Sequence, residues 1–157
     1  MMKIAIFVDV QNIYYTCKQS FNKQFNYRAL WNFIAEQGDI VIANAYAISR
    51  NDSQQQAFQK ALMHIGFDVK LKPFIQRSDG SAKGDWDVGI TIDILEIAAK
   101  VDKIVLLSGD GDFDLLINSV NELNTQTTVM SVESLTAKSL IDACEHFQSI
   151  DSRWLMP

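Results

Sequence analysis

An apolar run that stops at a glycine-bounded turn holding three aspartates constrains this fold more than any other stretch. It reads Ile104-Val105-Leu106-Leu107-Ser108-Gly109-Asp110-Gly111-Asp112-Phe113-Asp114. Val105 to Leu107 have the character of a strand buried on both faces. Leu115, Leu116, Ile117 and Val120 then recur at helical spacing, so the aspartates fill a strand-to-helix turn. In an open α/β sheet, that carboxyl edge is where ligands bind. Three like charges in five residues repel one another unless a cation or a helix N-terminus offsets them.

The chain has 157 residues, enough for one domain with a packed core. With 48% hydrophobic residues and two prolines it has a globular, not a disordered, composition. No apolar run approaches the roughly 18 residues of a membrane span, and Met1 to Val10 is too short for a signal peptide and lacks a cleavage site. Cys17 and Cys144 sit in helical apolar patterns and read as reduced core thiols. Two cysteines and two histidines, with neither the cysteines nor the histidines paired at zinc-site spacing, argue against a Cys/His zinc cage, and a reducing cytoplasm is the expected location. The net charge of -5 hides an asymmetry. Residues 1–84 hold ten Lys/Arg against six Asp/Glu, and residues 85–157 hold four against thirteen. An acidic protein is a poor bulk trap for nucleic acid, yet a basic rim around an acidic, metal-loaded cleft can hold one.

Strands and helices alternate along the chain. Lys3 to Asp9 is a buried strand ending on a carboxylate, and Val10 to Asn12 a turn. Tyr14, Cys17, Lys18 and Phe21 sketch a helix, and Asn26 caps a second that runs to Ile34, with Gly38 beyond it. Ile40 to Ile48 is the next strand. Asp52 or Ser53 caps a helix over Gln54 to Ile65 that Gly66 ends. Phe67 to Ile75 is a third strand, with Pro73 pointing to a sheet edge. Gln76 to Gly84 is a polar loop. Asp87 to Lys100 is a helix with Val88, Ile92, Leu95 and Ala99 inward. Lys103 to Leu107, Thr127 to Val132 and a last helix over Ala137 to Phe147 follow, and 151–157 is a tail. This order implies one α/β domain around a parallel five-stranded sheet.

Asp9 and Asp110 end neighbouring strands if the first strand is central, and Asp85 and Asp87 lie where the polar loop enters a helix. Clustered carboxylates without histidine suit Mg²⁺ or Mn²⁺, ions that activate water and brace the leaving oxygen of a phosphodiester. An acid directly after an apolar strand, such as Asp9, is costly unless paired or coordinated. Asp9, Asp87, Asp110 and Asp114 are therefore the candidate ligands. Asp85 and Asp112 serve equally well as helix caps or as supports for the ligands. Asp93 is about 240° around the helix from Asp87, which makes it a supporting group or a cation's partner. Asn12 either caps a helix or holds a water or phosphate, and Ser108 can donate to Asp9 or to phosphate. Lys83 precedes the acid pair and can meet a backbone phosphate.

Three rival motifs are weaker. From Asp110, a calcium loop would need Gly at Leu115 and Glu at Asn121. After the first strand there is neither a glycine-rich phosphate loop nor a Walker lysine. Gly109-Asp110 with Asp114 resembles the metal motif of haloacid-dehalogenase-like phosphatases, but Gln11 stands where their second acid follows the nucleophile.

Together, Phe7-Val8-Asp9-Val10-Gln11-Asn12, Lys83-Gly84-Asp85-Trp86-Asp87-Val88 and Ser108-Gly109-Asp110-Gly111-Asp112-Phe113 resemble the NYN domain family of the PIN-like nuclease superfamily, in its LabA-like group once labelled DUF88. The resemblance spans residues 1–150. It implies a three-layer α/β/α sandwich with a central, mostly parallel five-stranded sheet of order 3-2-1-4-5. It also implies a Mg²⁺- or Mn²⁺-binding carboxylate pocket formed by Asp9, Asp87, Asp110 and Asp114, with Asn12 paired to Asp9. The implied chemistry is endonucleolytic hydrolysis of RNA, with Ser108 and Asn12 positioning the phosphate and Arg50, Arg77 and Lys83 meeting flanking phosphates. Many PIN proteins carry a further acid between the second and third helices; residues 53–66 hold none, and Glu36 is the nearby alternative. A regulatory LabA-like module that binds nucleic acid or protein without cutting is the other reading. The oligomeric state stays open, with a homodimer among the options.

Overall fold

The computed structural model describes residues 1–49, 52–73, 75–76, 82–83 and 85–157, with the backbone alone at 73, 75, 76, 82 and 83. Six strands form one all-parallel sheet: β1 (Lys3–Asp9), β2 (Asp39–Ser49), β3 (Asp68–Pro73), β6 (Lys103–Leu107), β7 (Gln126–Ser131) and β8 (His146–Ser149). Their order is β3-β2-β1-β6-β7-β8, and a separate antiparallel hairpin joins β4 (Ile75–Gln76) to β5 (Ala82–Lys83). The helices are α1 (Val10–Phe21), α2 (Tyr27–Ala35), α3 (Ser53–Ile65), α4 (Asp87–Ile97), α5 (Asp114–Glu122) and α6 (Lys138–Ala143). Among the described residues no helix is long and apolar enough to cross a membrane.

The alternation of β1 builds both faces. Ile4, Ile6 and Val8 pack with Ile13 and Cys17 of α1, Leu30 and Ile34 of α2, and Leu62 of α3. Ala5 and Phe7 pack the other way, with Ile90 and Ile94 of α4, Ile117 and Val120 of α5, and Leu140 of α6. Successive strand side chains point to opposite faces, so a run apolar at every position needs a helical layer on each side. The expected three-layer sandwich is therefore present, with six strands in place of five.

The sixth strand comes from the segment expected as the last helix. Helix α6 ends at Ala143, and His146–Ser149 pair in parallel with Thr128–Ser131. As an edge strand it is only partly buried and lacks a strong apolar alternation, so its four residues carry little strand signal of their own. Two more expectations are corrected. Val10 to Asn12 is not a turn, because α1 starts directly at Val10. On α4 the buried residues are Ile90 and Ile94, while Val88, Ile92 and Leu95 face outward. That helix is apolar around most of its circumference, so periodicity selects no face and tertiary packing decides.

Local signals elsewhere act as expected. The Asn26 carboxamide accepts from the Ala29 amide at 3.0 Å, and Asp52 accepts from Gln55 at 2.7 Å. Gly66 ends α3 at φ 134°, where any side chain would also strike the Trp31 ring. Residues 151–157 dock on the domain: Trp154 and Leu155 are buried in the first core, and Leu155 bridges to Phe25.

Candidate metal centre

The sheet's order creates the site. The strand order reverses at β1, with β2 and β3 laid down on one side and β6 to β8 on the other, which opens a crevice at the carboxyl ends of β1 and β6. The register pairs Val8 with Leu107, so the next residues, Asp9 and Ser108, stand side by side. The Ser108 hydroxyl donates to Asp9 Oδ2 at 3.0 Å and accepts from the Asp110 amide at 3.2 Å. Asn12 Oδ1 accepts from the Gly109 amide at 2.9 Å. The side chain of Asn12 thus ties the first turn of α1 to the turn after β6.

That turn is tight because it is packed, not because its glycines need unusual dihedrals. A Cβ on Gly109 would sit 3.0 Å from the Leu135 carbonyl oxygen, and one on Gly111 would sit 2.8 Å from the Ala137 methyl. The Gly109 carbonyl accepts from the Ala137 amide at 3.1 Å. Asp110 Oδ1 caps the following 3-10 turn, Gly111–Phe113, by accepting from the Asp112 amide at 2.9 Å. Asp114 opens α5, its Oδ1 accepting from Leu115 at 2.6 Å.

The third wall is brought in by Trp86. Its indole N–H donates to the Ala47 carbonyl at 2.9 Å, and its ring lies 5.3 Å from that of Tyr46. This anchors the start of α4 to the end of β2. Gly89 is needed one turn later because a Cβ there would fall 2.7 Å from the Trp86 ring. Asp85 Oδ1 accepts from the Asp87 amide at 3.2 Å, and the Lys72 ammonium donates to the Asp85 carbonyl at 3.2 Å while lying 4.6 Å above the Trp86 ring. Trp86 and Lys72 were missed in the sequence. A tryptophan between two aspartates was the available signal for the first, and Lys72 gave none.

One oxygen each of Asp87, Asp110 and Asp112 comes within 4.8 Å of the others. Asp9 borders this group through Ser108. Burial pushes the Asp9 carboxyl up to about 6; the Ser108 hydroxyl and Asn12 amide pull it down, and the charges of Asp110 and Asp85 add to the rise. Burial, then a hydrogen bond and charge repulsion from Asp110, raise Asp87 to about 7. Ser108→Ala is expected to raise Asp9 further, because the carboxylate loses a donor. An NMR titration of the Asp9 carboxyl that finds no upward movement would refute that role for Ser108.

The remaining expected site residues fall as follows. Asp93 joins a different cluster, accepting from the Tyr46 hydroxyl at 2.7 Å with Lys70 at 3.9 Å. Asp112, expected as a cap or support, stands in the triad of close oxygens, whereas Asp9 and Asp114, expected as ligands, are not among the three. Arg50, Arg77 and the side chain of Lys83 lie outside the described residues.

The NYN domain family profile matches residues 3–151. The low amplitude and bright protein LabA of Synechococcus elongatus is 31% identical, over 92% of this chain and 82% of that protein. A crystal structure of a protein of unknown function from Vibrio parahaemolyticus superposes with a TM-score of 0.94 at 49% identity, covering 99% of this chain and 96% of that one. Ribokinase from Giardia lamblia shares the fold alone, at a TM-score of 0.50 and 11% identity over 93% of this chain and 57% of that one. An acidic crevice at the reversal point of a parallel sheet, with these matches across nearly the whole length, makes the chain a member of the NYN domain family, which supports a nucleic-acid-related role.

Proposed function

We propose that the protein is a cytoplasmic, metal-dependent endoribonuclease that hydrolyses RNA phosphodiester bonds. The observation that carries this reading is the convergence of Asp87, Asp110 and Asp112 to within 4.8 Å, with Asp9 held against the same turn. Membership of the NYN family supports it. The donors are all carboxylate oxygens, with no imidazole or thiolate, and that set fits Mg²⁺ or Mn²⁺. Asp87, Asp110 and Asp112 would hold the cation, with Asp9 and Asp114 as further acids at its border. When bound, such a cation supplies Lewis acidity toward a phosphoryl oxygen and lowers the pKa of water.

The chain's own groups prepare that chemistry. Asp87, raised to about 7, keeps part of its proton near neutrality and Asp9, raised to about 6, does so only below it; both would give it up when positive charge arrives. Asn12 and Ser108 fix the turn that carries Asp110, so the carboxylates are preorganised. Lys72 at the rim, with Arg50, Arg77 and Lys83 by sequence position, would meet flanking phosphates as charges and impart no base preference. Water would add to phosphorus and expel the 3′ oxygen, leaving 5′-phosphate and 3′-hydroxyl ends.

The test is incubation of the purified protein with end-labelled RNA and Mn²⁺, beside an EDTA arm and the Asp110→Asn variant. Cleavage with those ends that needs Mn²⁺ and Asp110 is the expected result. Equal trace cleavage in all arms would sink the enzyme reading. Calorimetric Mn²⁺ binding without turnover would favour a regulatory module that binds nucleic acid or protein without cutting.

A further inference from the structure

We propose that the groove between α1 and α3 binds unstacked nucleobases of single-stranded RNA on their way to or from the carboxylate pocket. This rests on the nuclease reading and deepens it by naming the strand state of the substrate. The groove has a volume of about 770 Å³, inside the roughly 300–1,000 Å³ that small-ligand sites span. Its lining includes Val10 and Gln11, the two residues that follow Asp9 on the first turn of α1.

Its lining suits bases. Tyr14 and Tyr15 are 43% and 48% exposed and meet edge to face, with ring centroids 5.3 Å apart. Two large rings left in water on one helix contribute little to folding, yet they present flat surfaces on which bases stack. The Lys18 ammonium lies 5.8 Å from the Tyr14 ring centre, where it can pair with a backbone phosphate. Gln11, Gln54 and Gln55 line the same groove. Each carboxamide offers both a donor and an acceptor, the combination that exposed base edges require. Among the described residues the one carboxylate of the lining, Asp52, already accepts from the Gln55 amide as a helix cap. Duplex RNA stacks its bases internally and cannot present them to tyrosine rings, so a single strand is the occupant that the chemistry selects.

The test measures the anisotropy of a labelled oligoribonucleotide, single-stranded or annealed to its complement, in Mn²⁺. The protein carries Asp110→Asn to suppress turnover. Tyr14→Ala with Tyr15→Ala should raise the single-strand Kd by about tenfold or more. Tyr14→Phe with Tyr15→Phe keeps the rings and should recover most of that loss, which separates stacking from a folding defect. The duplex should bind more weakly than the single strand. An unchanged Kd in the Ala pair, or tighter duplex binding, overturns the groove and leaves Mn²⁺-dependent cleavage by the native chain standing. If the native chain neither binds nor cleaves RNA, both readings fall.

Discussion

Asp110→Asn is expected to reduce Mn²⁺-dependent RNA cleavage by more than about a hundredfold while leaving the fold intact. Loss of a partner that only supports a metal ligand typically costs 10–100-fold, so loss of a ligand should exceed that. Asparagine keeps the oxygen that caps the Gly111–Phe113 turn, and the backbone contacts of Gly109 do not depend on the charge. The same change should stabilise the metal-free protein at neutral pH. Asp87 is raised to about 7, partly by hydrogen bonding to and repulsion from Asp110. A folded carboxyl raised above its unfolded value of 3.8 holds a proton that the unfolded chain has released. Its contribution is therefore fully present below about pH 4 and is lost as pH rises through about 7. Removing the Asp110 charge lowers Asp87 and shrinks that loss. Without metal, Asp110→Asn should melt above the wild type at pH 7 to 8; with Mn²⁺ the order should invert, because only the wild type gains binding energy. Thermal melts at both conditions check this, and a wild type that melts higher in both would count against repulsion at the site.

Trp154→Ala should destabilise the domain by about 3–5 kcal/mol, the usual range for emptying a buried tryptophan site. Trp154 is 2% exposed and meets Phe33 edge to face at 5.1 Å. The Arg153 guanidinium lies 4.6 Å over its ring. Its carbonyl accepts from the Asn26 amide at 2.8 Å, and the Met156 amide donates to the Gln24 carbonyl at 2.8 Å. The segment thus fastens the entry to α2. With total stabilities of about 5–15 kcal/mol for domains, such a loss is a large share. The indole N–H of Trp154 is buried with no hydrogen-bond partner among the described residues. Phenylalanine removes that cost along with part of the ring, so Trp154→Phe should lose far less than the alanine variant. Urea unfolding measures both. A loss below about 1 kcal/mol for Trp154→Ala would mean that residues 151–157 are not part of the cooperative core.

Legibility followed the range of the interactions. Asn26 and Asp52 could be read as caps because a cap is settled within three residues. β1 and β6 could be read because a run buried on both faces is apolar at every position. Helix α4 defeated the same method: with apolar residues around it, only the neighbours that came to lie against Ile90 and Ile94 decided which side was inward. Strand β8 was missed because an edge strand of four partly buried residues carries no pattern strong enough to displace a helix.

For the site, the sequence by itself determined the kind of chemistry. It set acids at the ends of apolar strands, no histidine among them, and glycines where the turn must pack. Only the tertiary structure decided which oxygens meet. Asp9 and Ser108 are neighbours through a strand register that spans about a hundred residues of chain, and Asp87 reaches Asp110 because Trp86 is bonded to the end of β2. Asp112 joins them because a 3-10 turn, held by the Asp110 carboxylate, brings it into the same cluster of oxygens. Local periodicity reports what each residue prefers, but distances between carboxylates far apart in the chain are set by how the layers pack.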